Sequence, residues 1–156
     1  MEILYISHCM PWPPDKGDRI RAFHSVRQLV EHHQVHVACL ARTRQEAAAV
    51  SDLAAKCASV RIEVLDKPRS MLRGFAGFAL GRSLTTSFYT HPRLQAYISS
   101  VIATRPIGAV VLLSTGMAAY EPAGIPFIAD WGDVDSEKWF DYARMRFPRF
   151  AYRMEA

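Results

Sequence analysis

The sequence lacks the features that mark several large classes of protein. Its three cysteines, Cys9, Cys39 and Cys57, form no CxxC pair and no metal-ligand spacing, so neither a disulfide scaffold nor a zinc site is indicated. We therefore expect reduced thiols in a cytoplasmic protein. No apolar run reaches the roughly 18 residues that a membrane-spanning helix needs. The formal charge of +4 over 156 residues is too small to indicate binding to nucleic acid.

Common nucleotide-binding and hydrolase motifs are also missing. The chain contains no GxGxxG fingerprint and no P-loop, so the usual modes of dinucleotide and ATP binding are not predicted. It contains no GxSxG nucleophile elbow, which argues against a serine hydrolase. What is present is a composition of 50% hydrophobic and 22% charged residues, which is typical of a soluble globular domain.

Apolar runs alternate with helical periodicity along the whole chain. This alternation predicts an α/β domain with a mainly parallel sheet, and the length predicts a single domain over residues 1–156. In such sheets ligands bind beyond the carboxyl ends of the strands. We predict strands at Glu2–Ser7, Gln34–Leu40, Val60–Leu65, Gly108–Leu113 and Pro126–Asp130, helices from Asp18 onward and at Arg44–Cys57, Met71–Leu80, His91–Thr104 and Ser114–Tyr120, and loops at Asp66–Ser70 and Gly81–Thr90.

The first candidate site is the loop PPDKGDRIR (residues 13–21), which follows the first strand. Gly17 allows a ligand to approach the main chain closely, and Asp18 can cap the next helix, whose amides favour an anion. Lys16, Arg19 and Arg21 add positive charge there, and His8 stands at the end of the strand. A proline-stiffened turn with solvated charges would explain the same residues.

The second candidate site follows the fifth predicted strand. Asp130, Asp133, Asp135 and Glu137 place four carboxylates within eight positions, which can supply an acid, a base or metal ligands. Helix capping would explain Asp135 and Glu137. It does not explain Asp130 and Asp133.

Two further stretches have both a functional and a structural interpretation. Ser114 and Thr115 follow the fourth strand and suit either a polar ligand or a helix cap. Lys67–Arg82 combines apolar and basic residues, and such a helix either lies on an anionic membrane or packs on a core with basic ends.

Several of these stretches also carry a resemblance to a known family. They resemble the N-terminal half of the family-4-like, GT-B-fold glycosyltransferases associated with bacterial exopolysaccharide and exosortase (PEP-CTERM) gene systems. PPDKGDRIR and DVDSEKW recur together in that group. The similar stretches are ILYISHCMPWPPDKGDRIRAFHSVRQL, VHVACL, SLTTSFYTHPRL, STGMAAY and DWGDVDSEKWFDYA.

The resemblance implies two Rossmann-like domains that face each other across a cleft. The N-terminal domain receives the acceptor, and the C-terminal domain binds the nucleotide-sugar. This chain would then be the acceptor-side, three-layer Rossmann-like domain, and we expect the donor-binding domain to belong to a longer protein. Related enzymes often place a histidine near the transferred sugar, where this sequence has Asp130 and Asp133.

The resemblance thus implies a retaining sugar transfer from a nucleotide-sugar to a saccharide or lipid-linked acceptor. We expect no cofactor beyond that co-substrate, no resident metal, no nucleic acid, and contact with the inner membrane surface as an open alternative. Two other functions stay open: a metal-dependent GT-A-type transferase, because Asp133-Val134-Asp135 is a DxD, and a stand-alone saccharide- or nucleotide-binding module. The candidate catalytic residues are Asp130 and Asp133, and the candidate substrate-binding residues are His8, Lys16, Gly17, Asp18, Arg19, Ser114, Thr115 and Asp135.

Overall fold

A computed structural model describes residues 1–49 and 51–132 of the chain. The strands are β1 (Glu2–Ser7), β2 (Gln34–Ala41), β3 (Ser59–Val64), β4 (Ile107–Leu113) and β5 (Phe127–Asp130). The helices are α1 (Gly17–His32), α2 (Arg44–Ala47), α3 (Asp52–Lys56), α4 (Lys67–Ala79), α5 (Leu84–Tyr89) and α6 (Pro92–Thr104), with a 3₁₀ helix at Thr115–Tyr120. None of the helices in this part of the chain is long and apolar enough to cross a membrane.

The strands form one five-stranded sheet in which every neighbouring pair is parallel, in the order β3-β2-β1-β4-β5. β1 lies at the centre, where Tyr5 is opposite Val37 of β2 and Val111 of β4. The chain winds outward from β1 to β3 and then returns to β4, on the other side of β1. Because the direction of winding reverses there, the connections that leave β1 and β4 diverge and open a crevice at the carboxyl edge.

Side chains of the sheet alternate between two hydrophobic cores. Leu4 and Ile6 of β1 belong to the core that includes Leu94 and Ile98 of α6. Tyr5, between them, belongs to the other core, which contains residues of α1 and α3. Helices therefore cover both faces of the sheet, and the domain is the predicted α/β, Rossmann-like three-layer fold.

Three predicted elements differ from the structure. Arg44–Cys57 was predicted as one helix but forms α2 and α3, because Thr43 and Ser51 each cap a new start by accepting a hydrogen bond from a backbone N–H. The predicted loop at Gly81–Thr90 contains α5, which is capped by Ser83.

The predicted loop at Asp66–Ser70 is the beginning of α4. Asp66 is its N-cap and accepts from Arg69 N, and Pro68 lies within the first two helical positions, where its missing N–H costs nothing. The helix therefore begins four residues before the predicted Met71.

Candidate functional site

A cavity of about 430 Å³ lies at the carboxyl edge of the sheet, beyond β1, β4 and β5. Its volume falls within the roughly 300–1,000 Å³ that is usual for small-molecule sites. It occupies the crevice where the winding of the sheet reverses. The cavity is lined by His8, Asp18, Arg21, Met71, Leu84, Thr85, Phe88, Tyr89, Leu113, Ser114, Thr115, Trp131 and Gly132.

His8 extends from the end of β1 into this cavity. Its Nε2 lies 3.6 Å from Asp18 Oδ2 in the first turn of α1, and its ring packs edge-on against Tyr89, with 5.8 Å between ring centroids. Burial lowers the pKa of His8 below its usual value, an effect that Asp18 and the backbone of Leu113 partly offset. The imidazole is therefore neutral at pH 7 and able to accept a proton or a hydrogen bond.

Arg21 joins the loop at residues 13–21 to the segment that follows β5. Its Nε lies 3.3 Å from Asp130 Oδ2, and both side chains are partly exposed. Gly132 lies so close that a Cβ there would be 2.5 Å from Arg21 Nη1. Asp130, the last residue of β5, is not itself a lining residue, but its carboxylate pairs with the lining residue Arg21, and it directly precedes the lining residues Trp131 and Gly132.

Ser114 has the one strained backbone among the non-glycine residues that the structure describes, with φ 85° and ψ 142°. This left-handed conformation costs an L-residue on the order of 1–3 kcal/mol. It is held by hydrogen bonds from Ser114 N to the Asp130 carbonyl at 2.9 Å and from Met117 N to the Ser114 carbonyl at 3.0 Å. The Ser114 hydroxyl accepts from Gly116 N at 3.3 Å, so it caps the 3₁₀ helix while facing the cavity.

The remaining wall comes from α4 and α5 and was not predicted from the sequence. Tyr120, which is buried, donates to the Tyr89 carbonyl at 3.0 Å and accepts from His91 N at 2.7 Å. Burial raises the pKa of Tyr120 to about 12, so its hydroxyl stays protonated and keeps both bonds. Gly116 lets the Tyr89 ring pack against the 3₁₀ helix, since a Cβ there would be 2.4 Å from Tyr89 Cδ2.

Three predicted substrate-binding residues near the start of α1 do not line the cavity. Arg19 is buried, and its guanidinium pairs with Asp15 at 3.0 Å and with Glu46 of α2. Lys16 and Gly17 are exposed at the N-terminal end of α1, outside the cavity wall that the described residues form. Lys16 occupies the N-cap position that was predicted for Asp18, because the helix begins at Gly17.

Asp133 and Asp135 lie outside the described residues. Within residues 1–49 and 51–132, no group of three His, Cys, Asp or Glu side chains is arranged to hold a metal ion. The three cysteines of this part are free thiols, and burial raises the pKa of Cys57 to about 11.

The cavity therefore has two unlike walls. One is polar, with the neutral His8, the guanidinium of Arg21, which pairs with Asp130, and the hydroxyl of Ser114. The other is aromatic and aliphatic, with Phe88, Trp131 and their neighbours on α4 and α5. This arrangement suits a ligand that carries hydroxyl groups on one face and a C–H surface on the other. Comparison of the chain with protein-family models, with curated proteins and with solved structures finds no match.

Proposed function

We propose that this domain is the acceptor-binding half of a retaining glycosyltransferase that uses a nucleotide-sugar donor, with GT-B architecture and a role in exopolysaccharide synthesis. One observation carries the proposal. Four of the stretches on which the family resemblance rests, namely residues 3–29, 83–94, 114–120 and 130–143, each contribute residues to the same cavity. These stretches are far apart in the chain, and their meeting at one cavity is what we expect if the resemblance reflects a shared site.

The chemistry of the cavity agrees with a saccharide acceptor. Sugar rings present hydroxyls to groups such as Arg21 and Asp130 and C–H faces to aromatic rings such as Trp131. Asp130 is the proposed catalytic carboxylate, since it pairs with the lining residue Arg21 and lies at the carboxyl edge of the sheet, as His8 does. Its role would be to orient the acceptor hydroxyl and to stabilise developing positive charge on the transferred sugar.

Saccharide binding can be measured with the 156-residue chain. We expect octyl glucoside and small oligosaccharides to shift the indole N–H signal of Trp131 in ¹H–¹⁵N NMR spectra, with dissociation constants on the order of 1 mM. Trp12 serves as an internal reference, because it is buried and its indole donates to the Ala49 carbonyl at 3.1 Å. A Trp131→Phe variant assigns the signal.

A matched pair of threonine variants locates the site. Thr115 lines the cavity, whereas Thr104 is exposed at the end of α6. Thr115→Val should weaken saccharide binding about tenfold, because the site loses a hydroxyl against a polar ligand, and Thr104→Val should leave it unchanged. Equal effects of the two variants, or no saccharide-dependent shift at all, would contradict the proposal.

Transfer itself is tested with the protein in its natural length. It should move a sugar from a uridine- or guanosine-diphosphate sugar to a lipid-linked saccharide with the anomeric configuration retained. Asp130→Asn should lower kcat by at least about a hundredfold. Inversion of configuration would overturn the retaining mechanism, and loss of transfer on chelation of divalent metal would favour the DxD alternative instead.

A non-catalytic binding module is the second candidate. It is favoured by the fact that residues of this domain already offer both polar and aromatic groups to a ligand. Saccharide binding by the chain, together with absence of transfer by the natural-length protein over a panel of nucleotide-sugars, would support it over the transferase.

A further inference from the structure

α4 presents its large apolar residues to solvent, the reverse of an ordinary amphipathic helix. Helices of globular proteins normally bury the apolar stripe against the core. The residues that α4 buries are Ser70, Gly74 and Gly77, all small. The relative exposure is 71% for Leu72, 57% for Phe75 and 75% for Leu80 just beyond the helix.

The buried side of α4 explains why it packs so closely on α5. A Cβ at Gly77 would be 2.1 Å from Ser87 Oγ, and a Cβ at Gly74 would be 3.5 Å from the Leu84 carbonyl oxygen. The small residues bring the two helix backbones together, and of the large apolar side chains of α4 only Phe78 is half-buried. Met71, Leu72, Phe75 and Leu80 therefore form an exposed surface that the domain core does not need, which we call the α4 apolar surface.

Positive charge predominates in the part of the sequence that contains the α4 apolar surface. Of the 19 Lys and Arg residues in the chain, six lie between Lys67 and Tyr120, and none of the 15 Asp and Glu residues does. The positive charge of this segment alone exceeds the net +4 of the whole chain. The six are Lys67, Arg69, Arg73, Arg82, Arg93 and Arg105.

The basic residues closest to the apolar surface are accessible. Lys67, Arg69 and Arg82 are exposed at the two ends of α4. Arg69 also pairs with an acidic residue, since its Nε lies 3.4 Å from the carboxylate of Asp66. An apolar strip with cations at its ends matches the layered chemistry of a bilayer surface, with acyl chains below and anionic headgroups above.

We infer that the α4 apolar surface docks on a bilayer that contains anionic phospholipids. The helix has 13 residues and is thus about 20 Å long, so it lies in the interface rather than crossing it. Met71 is at once part of this surface and part of the cavity wall. Docking would hold the cavity mouth beside the headgroups. This inference concerns a surface outside the proposed reaction and does not depend on sugar transfer.

Sedimentation with vesicles tests the inference. The chain is mixed with vesicles of one part phosphatidylglycerol to two parts phosphatidylcholine, or of phosphatidylcholine alone, and the bound fraction is measured. We expect binding to the anionic vesicles and a loss of binding as salt shortens the Debye length from about 10 Å at 0.1 M to about 3 Å at 1 M. Binding to phosphatidylcholine should be at least about tenfold weaker.

Paired substitutions separate the apolar and the charged contributions. Leu72→Ser with Phe75→Ser should weaken binding to anionic vesicles at least about tenfold, because two inserted side chains are lost. Arg69→Ser with Arg82→Ser should weaken it about 25-fold, about fivefold for each charge. Ile128→Ser is the matched control, since Ile128 is 64% exposed but belongs to β5 and not to the α4 apolar surface, and this variant should bind like the unmodified chain.

Each outcome decides the question. All substituted residues are exposed, so far-UV circular dichroism and the melting temperature should not change, and a variant that stays folded but no longer binds supports the inference. Failure of the unmodified chain to sediment with anionic vesicles would overturn it. So would undiminished binding by the Leu72 and Phe75 variant, or a dimer in solution that this variant dissociates. The assay contains no sugar, so its failure and failure of the transferase proposal are distinguishable.

Discussion

Breaking the ion pair between Arg19 and Glu46 tests whether Arg19, in the loop at residues 13–21, stabilises the fold or is available to a ligand. Each side chain is only 10% exposed, and Glu46 Oε2 also accepts from Arg42 N at 2.8 Å. We expect Arg19→Met to lower the free energy of unfolding by about 3 kcal/mol, since it leaves the Glu46 carboxylate buried without its partner. This value is at the low end for a broken buried pair because the Arg42 N–H still solvates the carboxylate.

A double variant separates the interaction between Arg19 and Glu46 from the cost of leaving one charge unpaired. Replacing both partners by apolar residues, Arg19→Met with Glu46→Leu, should recover most of the lost stability, because no unpaired charge then remains. The double-mutant coupling energy should be at least about 2 kcal/mol. Urea unfolding followed by circular dichroism at pH 7 measures it. With a slope of about 2 kcal/mol per molar urea, the Arg19→Met midpoint should fall by about 1.5 M.

Two results would refute this reasoning. One is an Arg19→Met variant that loses less than about 1 kcal/mol, which would mean that the guanidinium is not committed to the fold. The other is a double variant that is no more stable than Arg19→Met alone. The first result would leave Arg19 available to a substrate, as its position in the sequence had suggested, and the second would show that the unpaired Glu46 carboxylate is not the cause of the lost stability. The stable double variant should still bind saccharide.

Three further predictions concern the cavity. Burial lowers the pKa of His8 in the folded state, so the unfolded chain binds a proton at a higher pH than the folded chain does. The free energy of unfolding should therefore fall as the pH drops below about 6.5, by up to about 1.4 kcal/mol per pH unit. His8→Asn should flatten this slope in urea titrations between pH 7.5 and 5. Gly116→Ala should cost about 1–3 kcal/mol by pushing a Cβ into the Tyr89 ring, whereas Gly17→Ala, which meets no atom within 4 Å in the described structure, should be neutral or slightly stabilising in thermal unfolding. Ser114→Gly should be more stable than Ser114→Ala by about 1 kcal/mol or more, because glycine accepts φ 85° without strain and both variants lose the same hydroxyl; equal stability would show that the strain is negligible.

Much of the fold was predictable because its signals are local. The apolar run Glu2–Ser7 coincides with β1. The uniformly apolar run near residue 110 is β4, which lies next to the central strand β1. A strand buried on both faces has little choice but to be apolar throughout. The α4 start was missed, although Asp66 followed by Pro68 is a recognisable cap and first turn. α5 was missed because Thr85 and Thr86 are β-branched and favour helix weakly.

The candidate site was predictable only in its polar half. His8, Ser114 and Thr115 directly follow strands, and Asp18 lies at the start of the helix that follows β1, so topology brings them to one edge, and the structure places all four on the cavity. The apolar wall could not be inferred, because Phe88 and Tyr89 reach the cavity through the packing of α5, which no periodicity reveals. Arg19 was misplaced for the opposite reason. Its partner Glu46 is 27 positions away, and sequence proximity to the loop had suggested a ligand instead.

The division of labour on α4 has a consequence for how this protein can change over generations. Substitutions of Gly74 or Gly77 alter the contact with α5 and are filtered by folding, whereas substitutions of Leu72 or Phe75 leave the fold untouched and are filtered only by whatever the helix meets. The residues that stabilise the fold and the residues that we infer to determine where the domain binds thus lie on opposite sides of α4. Substitutions on the exposed side can therefore change the surface that the domain binds without lowering its stability. We expect relatives that share Gly74 and Gly77 but differ at Leu72 and Phe75 to bind different surfaces in the cell.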